Sequence, residues 1–361
     1  MPEHRAPAAQ PVPADDPDPD PGTGSSPAAP PPFAPRKTVF GTAGPPWGQP
    51  TARPTPGAVM PPETVLLDRP AAGAPAPAPA APAGTAGPLL GPAAAPALHV
   101  MSYNIRFHHR ATAPGDPDHW PARAPLLARL LRQEQPTLLG VQEALFHQLP
   151  VLRRALPEGY DMIGYGRAGG SKGEYSPVLY DARRLELAEW DQFWLSDTPE
   201  LIGSATWGND VPRIVVWGRF LDRATGAELV LVNTHFDHDS EPARDAAAAA
   251  VAELVTSFPP GTPVLVTGDF NAVAGASGPW TQLVDSGLLV DTWAAARQRL
   301  TPAWGTFPGY LDPVEDGPRI DWVLADPGVQ VLAGAVNPAR FGERWPSDHA
   351  PVQALVRLDP A

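Results

Sequence analysis

Cysteine is missing from all 361 residues of this chain, which excludes disulfide staples, thiolate nucleophiles and zinc-thiolate centres. The same absence leaves the redox compartment open, because a cysteine-free chain tolerates either condition. No apolar run approaches the roughly 20 residues that a membrane-spanning helix needs. The first residues also lack the basic segment followed by an apolar one that marks a secretory signal. A cytoplasmic protein without a membrane span is therefore expected. Basic charge is scarce as well: 26 Lys and Arg stand against 39 Asp and Glu, a net charge of -13. That balance disfavours a broad phosphate-gripping surface and so disfavours nucleic acid as a partner. It does not exclude one, since a local basic patch or a bound cation can neutralise phosphate on an acidic protein.

Proline is abundant, and its placement divides the chain. More than half of the 51 prolines precede Leu98, in stretches such as "PADDPDPDPGTGSSPAAPPP" and "GAPAPAPAAPAG". Ala, Pro and Gly crowd out branched and aromatic side chains there, so too little apolar surface can be buried to offset the entropy of ordering. Residues 1–96 are accordingly expected to be disordered, and residues 97–359 to form one domain of catalytic size, taken as a monomer.

Beyond Leu98, short β-branched runs alternate with polar punctuation, the pattern of buried strands separated by loops and a few helices. "ALHVMSYNI", "PTLLGVQEA", "SPVLYD", "RIVVWGRFL", "ELVLVNTHF", "TPVLVTGDF", "RIDWVLA", "VQVLAGAV" and "APVQALVRL" all read as strands. Pro121 can open a helix whose apolar stripe is Leu126, Leu127, Leu130 and Leu131, and Asp239 or Ser240 can cap a second one, "EPARDAAAAAVAELVTSF". "GRAGGSKGEYSP" is too rich in glycine for a regular element and reads as a loop.

Several strands share one property: their polar residues fall where the apolar run stops. Asn104, Glu143, His235, Asp269 and Asn271 all do so, and side chains delivered to the rim of a sheet are where ligands bind. Each has a plainer reading too. Asp269 and Asn271 would project to the same side of an extended backbone, or close the strand as an Asx-rich turn. Glu143 suits the start of a following helix. Asp348 and His349 are either a ligand beside a base or a surface ion pair. Asp321, inside an apolar strand, needs a partner to offset its burial, and a histidine is the natural one. His235 reaches the rim of Asp269 if their strands are neighbours, as consecutive elements usually are. Asp237 and His238 either support that site or begin the next helix, with Arg244 a possible partner for Asp237.

Taken in order, "SYNIR", "GVQEA", "NTHFDH", "TGDFNA", "RIDWVL" and "SDHAPV" resemble the motifs of the endonuclease/exonuclease/phosphatase superfamily, the deoxyribonuclease I-like metallo-phosphoesterases. "GYGRAGGSKGEYSPVLYD", "FWLSDTPE" and "RIVVWGRF" are similar to a bacterial branch of it whose substrates are poorly defined. The resemblance implies an α/β fold, a four-layered α/β/β/α sandwich with the site at one end. It implies Glu143 as principal ligand of Mg²⁺ or Mn²⁺, with Asn104 close by and Asp348 assisting directly or through water. His349, oriented by Asp321, would be the general base or the electrostatic partner of the attacking water. His235 and Asn271 would hold phosphate oxygens, as would Asn104, and Asp269 would align the nucleophile or serve the leaving group. Arg213 is equally a phosphate contact and a structural ion-pair member. One departure stands out: the abasic-site repair branch carries an acidic residue two places after the first-strand Asn, and here that place is Arg106.

The function so implied is metal-dependent hydrolysis of a phosphate ester, a phosphodiester before a monoester. A nuclease is the alternative within enzymes. From another class, a catalytically silent binding module would use the Pro-rich leader as a polyproline II interaction segment, but every expected site position keeps a chemically capable residue.

Overall fold

The computed structural model describes residues 87–358, and the expectation for residues 1–86 lies outside them. Two mixed sheets lie face to face. The seven-stranded sheet runs Gln298–Arg299, Gln330–Val336, Val352–Arg357, Ala97–Asn104, Leu138–Gln142, Val178–Asp181 and Tyr160–Ile163. The six-stranded sheet runs Val290–Asp291, Asp321–Ala325, Val264–Asp269, Glu228–His235, Ile214–Asp222 and Leu185–Trp194. Helices cover the outer faces, Trp120–Glu134 and Leu149–Ala155 on the first sheet and Glu241–Ser257 on the second. The α/β/β/α layering expected from the motifs is thus the observed one.

Period-2 alternation sorts each strand between two cores. Leu98 and Val100, Leu138, Leu229 and Leu231, Leu265, and Val323 fill the space between the sheets. Their neighbours Met101, Leu139, Val230, Val266 and Trp322 turn outward to the helices. Toward one end the inward face changes character, from leucine and valine to Ser102, Gly140, Asn233 and Thr267, all fully buried or without a side chain. Asn233 bridges the sheets there. Its Nδ2 donates to the carbonyls of Val141, Ser176 and Pro177 at 2.8, 3.0 and 3.1 Å, and its Oδ1 accepts from Gln142 and Thr267 at 2.8 and 3.0 Å. Gly140 is needed opposite, because a Cβ would collide with Thr267 Oγ1 and Asn233 Oδ1. One alternation further on, the same inward face carries Asn104, His235, Asp269 and Asp321.

Three expectations shift. Residues 87–96 belong to the domain rather than to a disordered leader: Leu89, Leu90 and Gly91 donate their amides to the buried Glu134 carboxylate at 2.7–3.2 Å, and His99 Nδ1 lies 2.8 Å from the Gly91 carbonyl. Asp321 opens its strand instead of lying inside it. The long strand Leu185–Trp194 escapes the hydrophobic pattern because it is a sheet edge with Glu186, Glu189 and Asp191 exposed, as edges often are. The second helix is capped by Ser240, whose Oγ accepts from Ala243 N. Among the described residues no helix is long and apolar enough to cross a membrane.

Candidate active site

Strand register assembles half of the site. Parallel pairing sets His235 opposite Asp269, and antiparallel pairing sets Asp269 opposite Asp321, so three adjacent strands present these side chains in one row. The facing sheet supplies Asn104, at the end of its strand, and Glu143, just past the end of Leu138–Gln142. Glu143 and Arg106 both adopt left-handed backbone, φ 63° and 57°, a strain of roughly 1–3 kcal/mol for a non-glycine residue. At Glu143 it turns the chain out of the strand with the carboxylate still directed at Asn104.

The Asn104 amide is the hub. Its Nδ2 donates to Glu143 Oε1 at 2.8 Å and to Asp269 Oδ2 at 2.9 Å, and it lies 3.4 Å from His349 Nε2. Its Oδ1 accepts from the Arg106 amide at 2.9 Å, which fixes the orientation. The other Glu143 oxygen accepts from the Phe107 amide at 3.0 Å. His349 Nδ1 meets Asp321 Oδ2 at 2.9 Å, the pairing expected for that buried carboxylate, and His349 Nε2 is 3.8 Å from Asp269 Oδ2. Burial alone would lower the His349 pKa, but the charges of Asp321 and Asp269 and the Asp321 hydrogen bond outweigh it and push it up to about 10. Asp269 rises to about 7, from burial first and the neighbouring Asp321 charge second.

His235 differs. Burial, then the charges of Arg213 and Arg167, hold it well below the usual histidine range, so the ring is neutral. Its Nε2 lies 3.1 Å from Asn271 Nδ2 and 3.5 Å from Asp269 Oδ2. Asn271 is not on extended backbone as the alternation argument required. At φ 48° it sits in a turn, with its amide bonded to Asp269 Oδ1 at 2.9 Å. The turn reading of "TGDFNA" is the observed one, and the turn places Asn271 beside His235.

Arg213 is buried, with Nε on Asp237 Oδ2 at 3.2 Å and Nη2 on His238 Nδ1 at 2.8 Å. Asp237 also accepts the amides of Asp239 and Ser240 at 3.0 and 2.8 Å, so Asp237 and His238 build the corner before the helix. Arg244 reaches the Asp237 carbonyl and leaves its carboxylate to Arg213.

Sequence reasoning took Glu143, Asn104 and Asp348 for the metal. Among the His, Asp and Glu side chains of the described residues, donor atoms of Glu143, Asp269 and His349 all lie within 4.8 Å of one another. Asp348 stands beside them, 3.6 Å from Arg106 Nε and 3.2 Å from Ser347 Oγ. Arg106 also lies 3.8 Å from Glu143 and 3.2 Å from Asp118, so where the repair branch has an acid this site has an internal cation. Two carboxylates and an imidazole, with no sulfur among them, form a donor set suited to a divalent metal ion.

Two groups escaped the sequence reading. Arg167 and Glu174 form a bidentate pair, Nη1 to Oε2 at 2.9 Å and Nη2 to Oε1 at 2.8 Å, in the segment read only as a glycine-rich loop. Phe307, half in solvent, packs its ring 4.6 Å from that of His349. Neither stands where a long apolar run stops, the signal that marked Asn104, Glu143, His235, Asp269 and Asn271.

Residues 101–349 match the Endonuclease/Exonuclease/phosphatase family. Among solved structures, an endonuclease/exonuclease/phosphatase family protein from Bacteroides thetaiotaomicron is 33% identical, with a TM-score of 0.68 over 73% of this chain and 98% of that one. A mannosyl-6-phosphatase from Bacteroides thetaiotaomicron VPI-5482 is also 33% identical, with a TM-score of 0.66 over 72% of this chain and 99% of that one. Protein angel of Drosophila melanogaster is 27% identical over 52% of this chain. The chain spans only 55% of that protein's length, and 59% of an uncharacterized mimivirus protein it also matches.

Proposed function

The chain belongs to the endonuclease/exonuclease/phosphatase family, and from that premise we propose that it hydrolyses phosphate esters with a divalent metal ion. The observation that carries this reading is the convergence on Asn104: Glu143 and His349 from the side of the seven-stranded sheet and Asp269 from the six-stranded one, within 4.8 Å of one another at the rim where both sheets end. Glu143 and Asp269, both bonded to Asn104, would hold the ion, which leaves the His349 imidazole free to take a proton. When bound, Mg²⁺ or Mn²⁺ neutralises phosphoryl oxygens and eases attack by water.

The chain's own groups divide the remaining work. Asp269, fixed through both oxygens by Asn104 and the Asn271 amide, faces His349 across 3.8 Å. These two are the pair between which a proton from the attacking water passes, and Asp321 holds the imidazole in place. His235 is neutral, and with Nε2 accepting from Asn271 its one N–H, on Nδ1, is the donor it can offer a phosphoryl oxygen. Arg213 lends its positive charge from behind His235. Asp348, tied to Arg106 and Ser347, adds negative charge beside the ion.

Sequence reasoning favours a phosphodiester. The 33% identity to a mannosyl-6-phosphatase over nearly all of that protein supports a second reading, a phosphate monoester of a sugar. A nuclease is less favoured, since a net charge of -13 works against polyanion binding. The test is purified full-length protein with Mg²⁺ or Mn²⁺ against 4-nitrophenyl phosphate, bis-4-nitrophenyl phosphate, hexose phosphates and single-stranded DNA. Hydrolysis lost with EDTA and restored by either metal is expected. Inactivity on all four classes, while a family member works alongside, would refute the proposal.

A further inference from the structure

We infer that the Arg167–Glu174 pair is a specificity element that reads the hydroxyl groups of a polyhydroxylated leaving group, a sugar-phosphate class of substrate; this rests on the phosphate-ester reading above.

Placement is the first argument. Glu174 belongs to the two-residue strand Glu174–Tyr175, which pairs antiparallel with Ala144–Leu145, and the register sets Glu174 opposite Leu145, two residues after Glu143. The pair therefore flanks the Glu143 side of the site. Its charges are felt there: Arg167 acts on His235, and Glu143 and Arg213 act on both members of the pair.

The loop is closed without the pair. Gly166 N donates to the Gly170 carbonyl at 2.8 Å, Arg167 N to that of Glu174 at 2.9 Å, and Ala168 N to that of Lys172 at 3.1 Å, while the Trp194 indole holds the Arg167 carbonyl at 2.7 Å. Gly169, Gly170 and Gly173, at φ 89°, 54° and 72°, allow these tight returns. Closure by backbone leaves the two side chains free for another task. Both are 17% exposed, neither sealed nor free in solvent. Burial nonetheless pushes the Glu174 carboxyl up, so an approaching hydrogen bond competes little with bulk water.

Chemistry then selects the ligand. Each Glu174 oxygen keeps a second lone pair, and Arg167 keeps further N–H donors beyond the two in the fork. An alcohol hydroxyl both donates and accepts, so neighbouring hydroxyls can bridge carboxylate and guanidinium together. An aromatic or alkyl leaving group cannot. A nucleic-acid strand would bring phosphate against Glu174. On the His349 side, exposed Phe307 offers the apolar face against which a sugar ring packs.

The experiment compares kcat/KM for mannose 6-phosphate and glucose 6-phosphate with that for 4-nitrophenyl phosphate, which has no hydroxyl in its leaving group. It uses the full chain and Glu174→Gln, Arg167→Met and the swapped pair Arg167→Glu with Glu174→Arg, with melting temperature recorded for each. The hexose-to-nitrophenyl ratio should fall at least thirtyfold in every variant, chiefly through KM, and the swapped pair should recover stability without recovering the ratio. A structural role would lower both esters together and leave the ratio within threefold, which overturns the inference. So would a wild-type preference for 4-nitrophenyl phosphate over both hexose phosphates. Activity on neither ester nor on any diester instead refutes the phosphoesterase reading, and the inference falls with it.

Discussion

At the scale of single residues, Glu143 and His235 make opposite demands on an experiment. Glu143→Gln keeps the volume and one of the two hydrogen bonds that Glu143 accepts from Asn104 and Phe107, and it removes a charge at the rim, so turnover at low metal should fall nearly to background while the melting temperature drops only slightly. Wild-type turnover under those conditions would mean that Glu143 does not hold the ion. His235→Ala is expected to lower turnover roughly a hundredfold, the scale of one lost transition-state donor. His238→Ala should do far less, since that ring is half in solvent and meets Arg213 and Asp239 rather than the Asn104 hub. Equal, small effects would return the cluster to a helix-capping corner. A third expectation concerns the metal-free protein. The folded pKa of His349 lies near 10 against 6.5 for a free histidine, and that of Asp269 near 7 against 3.8. In both windows the folded state keeps a proton that the unfolded chain has released, so stability must fall as pH rises through them, by on the order of a few kcal/mol in all. Denaturant titrations in EDTA should show that slope in wild type and a flatter one in Asp321→Asn. An unchanged slope in the variant would place the proton elsewhere.

Among the elements, the inward faces of three strands change from apolar to small polar to candidate site residues as they approach one end, through Ser102 to Asn104, Asn233 to His235 and Thr267 to Asp269. That gradient explains why Asn104, Glu143, His235, Asp269 and Asp321 were legible in the sequence: each ends or begins an apolar run, and an uncompensated charge there would be costly unless it met a ligand or a partner. Asn271 was found for a partly wrong reason, since its turn rather than strand alternation directs it. Arg167 and Glu174 were not legible, because a two-residue strand inside a glycine-rich segment leaves no periodic trace. Gly140 tests the close approach of the sheets. Gly140→Ala should cost roughly 1–3 kcal/mol by overpacking, read as a shift in the denaturation midpoint. A wild-type midpoint would show that the contact with Asn233 and Thr267 is looser than described.

For the whole molecule, the same physics that seals the domain sets its N-terminal limit. Glu134 is buried and receives the amides of Leu89, Leu90 and Gly91 together with Asn337 Nδ2 at 3.1 Å. A chain beginning at residue 97 leaves that carboxylate underbonded, whereas one beginning at residue 87 does not. The shorter chain should be less stable by roughly 1–3 kcal/mol, and equal melting of the two would show that the segment adds nothing.

The class of fold came from the resemblance of the ordered motifs to a known family, while composition and pattern alone marked most of the long strands, the absence of thiol chemistry, and polar residues waiting at strand ends. Those are local properties, fixed by what each run of side chains must bury. Which polar residues meet depended on register and on the approach of the second sheet, and no local rule sets either. The row His235, Asp269, Asp321 comes from pairing between strands far apart in sequence. Asn104 could be recognised as a strand-end residue but not as the hub, because its partners lie 39, 165 and 245 residues away. Asp348, adjacent to His349 in sequence, was drawn to Arg106 instead, since charges settle with the nearest opposite charge in space.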